Sequence, residues 1–109
     1  MSDVDEKFSA LRKGLLEFLV LQIIAAEKVY AADILRRLGA TEFATQEGTL
    51  YPLLSKMRRD GLLEYEWKES EAGPPRKYYE LTGKGRGQLR ETLAYWDKIN
   101  GTIKHLGQK

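Results

Sequence analysis

The run GPPRKYYELTGKGRG, residues 73–87, gathers four cationic side chains, Arg76, Lys77, Lys84 and Arg86, with four glycines and two adjacent tyrosines. Cations at that density attract anions, and glycine-spaced segments cradle phosphates when several backbone N–H groups can turn toward one ligand. A dinucleotide site, however, needs its glycines after a strand inside a βαβ unit, and no such unit is legible here. The other residues able to carry chemistry are sparse. Glu64 and Glu66 share one face of a strand-like run, where alternate acids are ordinarily solvated rather than a catalytic pair. His105 stands without a second ligand, so no metal site is expected. The chain has no cysteine, which removes disulfides, thiolate chemistry and cysteine-based zinc sites, and suits a reducing compartment. With no nucleophile set beside a base, the residues point to binding rather than catalysis and to no cofactor.

What is bound depends on where the charge lies. Eighteen basic and 16 acidic side chains leave a net charge of only +2, so any electrostatic footprint must come from uneven distribution. Residues 1–10 are acidic, with Asp3, Asp5 and Glu6 against Lys7. Residues 76–90 are basic, with Arg76, Lys77, Lys84, Arg86 and Arg90 against Glu80. The N-terminal MSDVDEKFSA lacks the charged-then-apolar order of a signal peptide, and the longest apolar run, FLVLQIIAA, is too short for a bilayer. The expectation is a soluble cytoplasmic protein of one domain. At 109 residues such a domain buries about 65% of its unfolded surface, so a partner subunit would add useful burial.

The elements that must position these residues follow from periodicity. Leu11, Leu15, Phe18, Leu19, Ile23 and Ala26 recur at helical spacing, and Leu16, Val20 and Ile24 widen that stripe until it nearly encircles the helix. A shorter helix carries Ala31, Ile34, Leu35 and Leu38 and is expected to stop at Gly39 in a left-handed conformation. TQEGTLYPLLSKMRRDG predicts a third helix capped by Thr45 and closed at Gly61. Its buried stripe is Leu50, Leu54 and Met57, and Pro52 predicts a kink or an irregular first turn. After Gly61 the period becomes two: Leu63, Tyr65 and Trp67 face inward, ESEAGPP forms a loop, and RKYYELT returns with Tyr79 and Leu81 inward. From Thr82 a last helix carries a short heptad-like seam of Leu89, Leu93, Trp96, Asn100 and Ile103.

Helix, helix, helix, strand, turn, strand and long helix is the order of a winged helix-turn-helix with an appended helix: mainly α with a two-stranded β-hairpin. In that arrangement the third helix offers Thr45, Gln46, Gly48, Thr49, Tyr51, Ser55 and Lys56 to a major groove. Arg76 and Lys77, at the hairpin tip, reach the neighbouring backbone of double-stranded DNA.

The segments GTLYP, Gly48 to Pro52, and RKYYELT, Arg76 to Thr82, resemble paired motifs of the PadR family of bacterial transcriptional regulators, and the similarity runs from about Leu11 to Leu106. The resemblance implies a homodimeric repressor reading an inverted repeat, with residues 1–81 binding DNA and residues 82–109 forming a dimerisation helix. It further implies that Trp96 matches a tryptophan that, in small drug-sensing members, walls a flat pore at the dimer centre, which Leu11, Leu15 and Asn100 would help to line. A planar aromatic molecule would fit there. Two departures stand out. VYAAD replaces the usual Gly-Tyr start of the second helix, and the glycine-rich start of the last helix suggests a loose hinge. The competing reading is a winged-helix module that binds a protein and not DNA. The clustering of Lys56, Arg76 and Lys77 argues against it, and Glu47, Glu64, Glu66 and Glu69 nearby argue for it.

Overall fold

The computed structural model describes residues 6–109; Asp3 and Asp5 of the acidic N-terminal stretch lie outside the described residues. Four helices and a small sheet follow one another among them: α1 Ser9–Ala26, β1 Val29–Tyr30, α2 Ala31–Gly39, α3 Glu47–Arg59, β2 Leu63–Ser70, β3 Gly73–Leu81 and α4 Gly83–Leu106. The sheet is antiparallel and three-stranded in the order β1-β3-β2, so the expected two-stranded hairpin gains a strand. Val29 and Tyr30 pair with Tyr79 and Tyr78, which fastens the start of α2 to the hairpin. So short a strand carries no periodicity that a sequence reading could detect.

The core lies where α1, α2 and α3 meet one face of the sheet. From α1 it takes Leu16, Val20, Leu21, Ile23 and Ile24, so the row read as merely widening the stripe is the one that is buried. Leu11, 55% exposed, and Leu15, half-buried, are left on the other side. Ala31, Ile34 and Leu38 of α2, Leu50, Leu54 and Met57 of α3, and Leu62 complete it, with Val29, Leu63, Tyr79 and Leu81 from the sheet and Leu89 from α4, so the first residue of the expected seam is spent inside the chain. Trp67, expected on that inward face, is 61% exposed: β2 and β3 run on beyond the helices they cover.

The turns also differ from expectation. Gly39 ends α2 as a helical residue, without a left-handed angle. The one positive φ among the described residues is Gly61 at 78°, which closes α3. Its N–H bonds the Arg58 carbonyl and that of Leu62 bonds the Met57 carbonyl, both at 3.0 Å, a paired closure that needs a residue without a Cβ at the turn. α3 runs through Pro52 without interruption. Its N-cap is Gln46, whose backbone carbonyl accepts from Thr49 and Leu50, whereas the Thr45 hydroxyl donates back to the Phe43 carbonyl. Pro74 and Pro75 lie in β3 and not in a loop, and only Glu71 and Ala72 separate the strands.

The glycines opening α4 are not a loose hinge. A Cβ on Gly85 would stand 2.2 Å from the Leu62 carbonyl oxygen, so the helix and the start of β2 touch backbone to backbone. Two amides of the GKGRG segment are also taken: the Gly85 N–H donates to the Thr82 hydroxyl at 2.9 Å and the Arg86 N–H to the Thr82 carbonyl at 3.0 Å. Beyond Leu89 no residue of α4 is buried, and the helix projects from the body. The chain spans 60 × 35 × 21 Å, and its radius of gyration of 16.1 Å exceeds the roughly 13 Å of a compact domain of this length. Gly85→Ala should cost at least ~2 kcal/mol through overpacking, read as a large fall in Tm. Gly87→Ala, where a Cβ meets no more than the Arg90 guanidinium at 3.8 Å, should stabilise by up to ~1 kcal/mol. Equal effects of the two would contradict the close approach.

Candidate nucleic-acid interface

Because α3 buries Leu50, Leu54 and Met57, its opposite side presents Gly48, Pro52, Ser55 and Arg59, all exposed. A Cβ on Gly48 would meet nothing within 4 Å, so this face is bare at its start. The two flanks differ. On one, Thr49 borders a cleft with Arg12, Lys13, Leu16, Phe43 and Thr45, and the Arg12 guanidinium lies 5.5 Å from the Phe43 ring. On the other, Tyr51 and Ser55 face the wing formed by β2 and β3 across a cleft of about 230 Å³ that Trp67, Arg76, Lys77 and Tyr79 also line.

Lys56 is less available than its sequence position suggests. Its ammonium donates to Asp60 at 3.0 Å, one turn on, and lies 3.9 Å from Glu17 of α1. The bond to Asp60 and the nearby Glu17 hold its pKa above the ordinary lysine value. The pair is solvent-exposed, so it contributes little stability, but it offsets the charge that a phosphate would meet. Arg59, at the centre of the outward face, has no ion pair among the described residues.

The wing sorts its cations by strand pleat. Arg76 pairs across with Lys68, and Lys77 with Trp67, so neither sits at the tip where the sequence reading placed them. Lys77 shares the face of Tyr65, Trp67 and Tyr79, its ammonium 4.6 Å from the Tyr65 ring centroid and 5.7 Å from that of Trp67. Arg76 belongs to the other face, stacked 5.0 Å from the Tyr30 ring, with Lys68 4.3 Å from that of Tyr78. That outer face also holds Glu64, Glu66 and Glu80, the last bridged by Lys28 at 3.3 Å. Cation–aromatic contact restrains long side chains that would otherwise lose rotamer freedom on binding.

The structure thus brings Tyr51, Ser55, Arg76 and Lys77 to one groove, leaves Gly48 on the open outward face of α3, and puts Thr45 and Thr49 on the opposite flank beside Arg12 and Lys13. Gln46 is exposed at the entry to α3. Arg58, one of the cations that the sequence sets with Lys56 and Arg59 after the polar start of α3, has its guanidinium 4.7 Å from the Tyr65 ring, whereas Arg12 was overlooked. Arg58 lies one turn after Leu54, on the Tyr51 flank. Leu11, Leu15, Trp96 and Asn100 lie on α1 and α4 away from this groove, and among the described residues no group of acids and histidines is placed to hold a metal. No described helix is long and apolar enough to cross a membrane.

A bare-faced helix between a cleft and a cation-bearing hairpin, on a three-helix core, is the winged helix-turn-helix arrangement. Residues 20–91 match the family described as the transcriptional regulator PadR-like family. The chain belongs to that family, whose members are DNA-binding transcription factors and not enzymes. It is similar to the solved PadR-like transcription factor from Bacteroides fragilis, with 47% identity, a TM-score of 0.82, and coverage of 94% of this chain and 100% of that one. A PadR-like regulator from Bacillus cereus strain ATCC 14579 shows 39% identity and a TM-score of 0.81 over 92% and 98% of the two chains. One from Eggerthella lenta shows 34% identity and a TM-score of 0.84 over 97% and 94%.

Tyr79 ties the wing cleft to the core, and burial, followed by its Tyr65 and Tyr51 neighbours, pushes its phenol above the ordinary tyrosine value. The fold therefore favours the protonated phenol. Its contribution is complete below the unfolded value of about 10 and is lost as pH rises through the folded value. Tyr79→Phe should leave neutral-pH stability little changed and lessen the loss of stability above about pH 10, as measured by urea unfolding. An alkaline limb identical to that of the parent chain would show that the phenol does not contribute to it.

Proposed function

We propose that this chain is a ligand-responsive repressor that binds an inverted-repeat operator as a homodimer. The observation that carries the DNA reading is the outward face of α3, where Gly48, Pro52 and Ser55 leave the helix slim enough to enter a major groove while Arg59 and the wing's Lys77 lie beside it. Gln46 and Thr49 are assigned to base edges, and Tyr51, Ser55, Arg76 and Lys77 to the backbone. Lys56 reaches a phosphate only by leaving Asp60.

Residues 1–81 are assigned to DNA binding and residues 82–109 to dimerisation. Support comes from α4, which leaves Leu93, Ile103 and Leu106 exposed along a projecting helix, and from Leu11 and Leu15 on the uncovered side of α1. Trp96, 37% exposed in the same seam, would meet its symmetry mate, and a planar aromatic effector would insert between the two indoles with Leu11, Leu15 and Asn100 around it. Release of DNA then requires that the effector bind the released geometry more tightly than the DNA-bound one.

Operator affinity should fall with salt, each phosphate contact adding ~0.9 to the slope of log affinity against log salt. Lys77→Ala should weaken binding to every duplex alike, while Gln46→Ala and Thr49→Ala should change which duplex is preferred; identical behaviour would overturn the assigned roles. Failure of every duplex, the chain's own upstream DNA included, would favour the protein-binding module instead. Sedimentation should show a dimer at micromolar concentration. In a Trp67→Phe background a flat cationic dye should quench Trp96 and weaken operator binding, and both effects should vanish in dimeric Trp96→Ala. Unchanged emission across a panel of dyes and phenolic acids would make Trp96 a packing residue.

A further inference from the structure

We propose that the cleft between α3 and the wing seats the sugar–phosphate backbone of double-stranded DNA, with Trp67 as its apolar wall; this rests on the DNA-binding reading above. Along the inner face of β2, Leu63 is buried, Tyr65 half-buried and Trp67 61% exposed, so the core accounts for the first two and not for the indole. The exposed indole offers apolar area to whatever enters the cleft.

The ring is held in place. It meets Tyr65 edge-on, at 5.9 Å between centroids and 87° between planes, with the Lys77 ammonium 5.7 Å away. Facing it across the cleft are the hydroxyl-bearing Tyr51 and Ser55 of α3. Among the described residues no acid lines this cleft, whereas Lys77 of the inner face does, and so does Arg76, although its register places it on the outer face. The acids Glu64, Glu66 and Glu80 belong to the opposite face of the sheet by register.

An apolar wall beside an ammonium and hydroxyl donors matches a deoxyribose with its phosphate. A duplex keeps its bases stacked and offers none to the indole, so the sugar's C–H face is what Trp67 can cover. The contact carries no sequence information, which makes it measurable without the operator.

The experiment adds a labelled mixed-sequence duplex of about 30 base pairs at low salt, where backbone contacts dominate binding. Label anisotropy reports binding, and acrylamide quenching of Trp67 reports contact, both in Trp96→Phe and as the difference between the parent chain and Trp67→Phe. Bound duplex should protect Trp67 from acrylamide. Trp67→Ala should weaken binding on the order of fivefold to tenfold through lost apolar cover, leaving the salt slope unchanged. Lys77→Ala should lower that slope by ~0.9. Duplex binding with Trp67 still fully quenched, and Trp67→Ala binding like the parent, would overturn the proposal while leaving the DNA reading intact. Protection by polyglutamate and not by duplex would overturn it in favour of an acidic protein partner. No anisotropy change with any duplex would remove the reading on which it rests.

Discussion

The contact between Gly85 and the Leu62 carbonyl is the constraint on which the arrangement of this molecule depends. Any side chain at Gly85 would collide with backbone, so α4 starts where it does because residue 85 has none. Thr82 locks the same point: its hydroxyl donates to the Gly61 carbonyl at 2.6 Å and accepts from the Gly85 N–H at 2.9 Å, while its own N–H bonds the Leu62 carbonyl at 3.1 Å. The Lys84 ammonium donates to the Asp60 carbonyl at 2.6 Å. The last turn of α3, the start of β2, the end of β3 and the first turn of α4 therefore meet within a few residues. Gly61, with its positive φ, turns the chain into that junction.

The junction determines how a disturbance of α4 travels. Three glycines in a row of five invite the expectation of a flexible joint, but one is packed against backbone and its N–H is taken by the cap. The first turn of α4 is thus tied to the C-terminal end of α3 through bonds to Asp60, Gly61 and Leu62, and to the wing through Leu81, which immediately precedes its N-cap Thr82. The wing joins the same point only through the Leu63–Leu81 end of its ladder, and its outer half is clear of the core. If α4 holds a dimer as proposed, the spacing between the two α3 helices would follow the geometry along α4. The proposed ligand response would then need no flexible element, only two packings of the proposed dimer seam that differ in free energy for ligand and for DNA.

Much of the fold was legible because periodicity reports burial directly. Leu50, Leu54 and Met57 lie one helical turn apart and are buried, and Tyr79 and Leu81 alternate as an inward strand face should. What escaped was set by tertiary distance. The alternation of Leu63, Tyr65 and Trp67 is regular, but it cannot say where the helices beneath the sheet end, so Trp67 reads as core and stands in solvent. In α1 the apolar residues nearly encircle the helix, and only the positions of the elements packed against it, chiefly α4, β3 and α2, choose Leu16, Val20 and Ile24 as the intrachain side. The motifs carried the site further than periodicity did: GTLYP and RKYYELT mark its residues, while the pairing of Lys56 with Asp60 and Glu17 depends on where α1 crosses α3.

The charges of the hairpin show why a list of residues falls short of a site. Read in one dimension, residues 64–80 mix five acids with three cations, and the mixture argues as well for a solvated ribbon as for a polyanion site. The register separates them. Glu64, Glu66 and Glu80 fall on the face away from α3, where Lys28, Lys68 and Arg76 lie among them, and Lys77 falls on the inner face; the cleft beside α3, which Arg76 also borders, has no acid in its lining among the described residues. A one-residue slip of β3 against β2 would exchange these faces and set acids against the groove beside α3. The strand pair β1–β3 guards against that slip, because Val29 and Tyr30 fix Tyr79 and Tyr78 from the other edge. The two-residue strand that periodicity could not reveal is thus what keeps the cationic face of the wing turned toward α3.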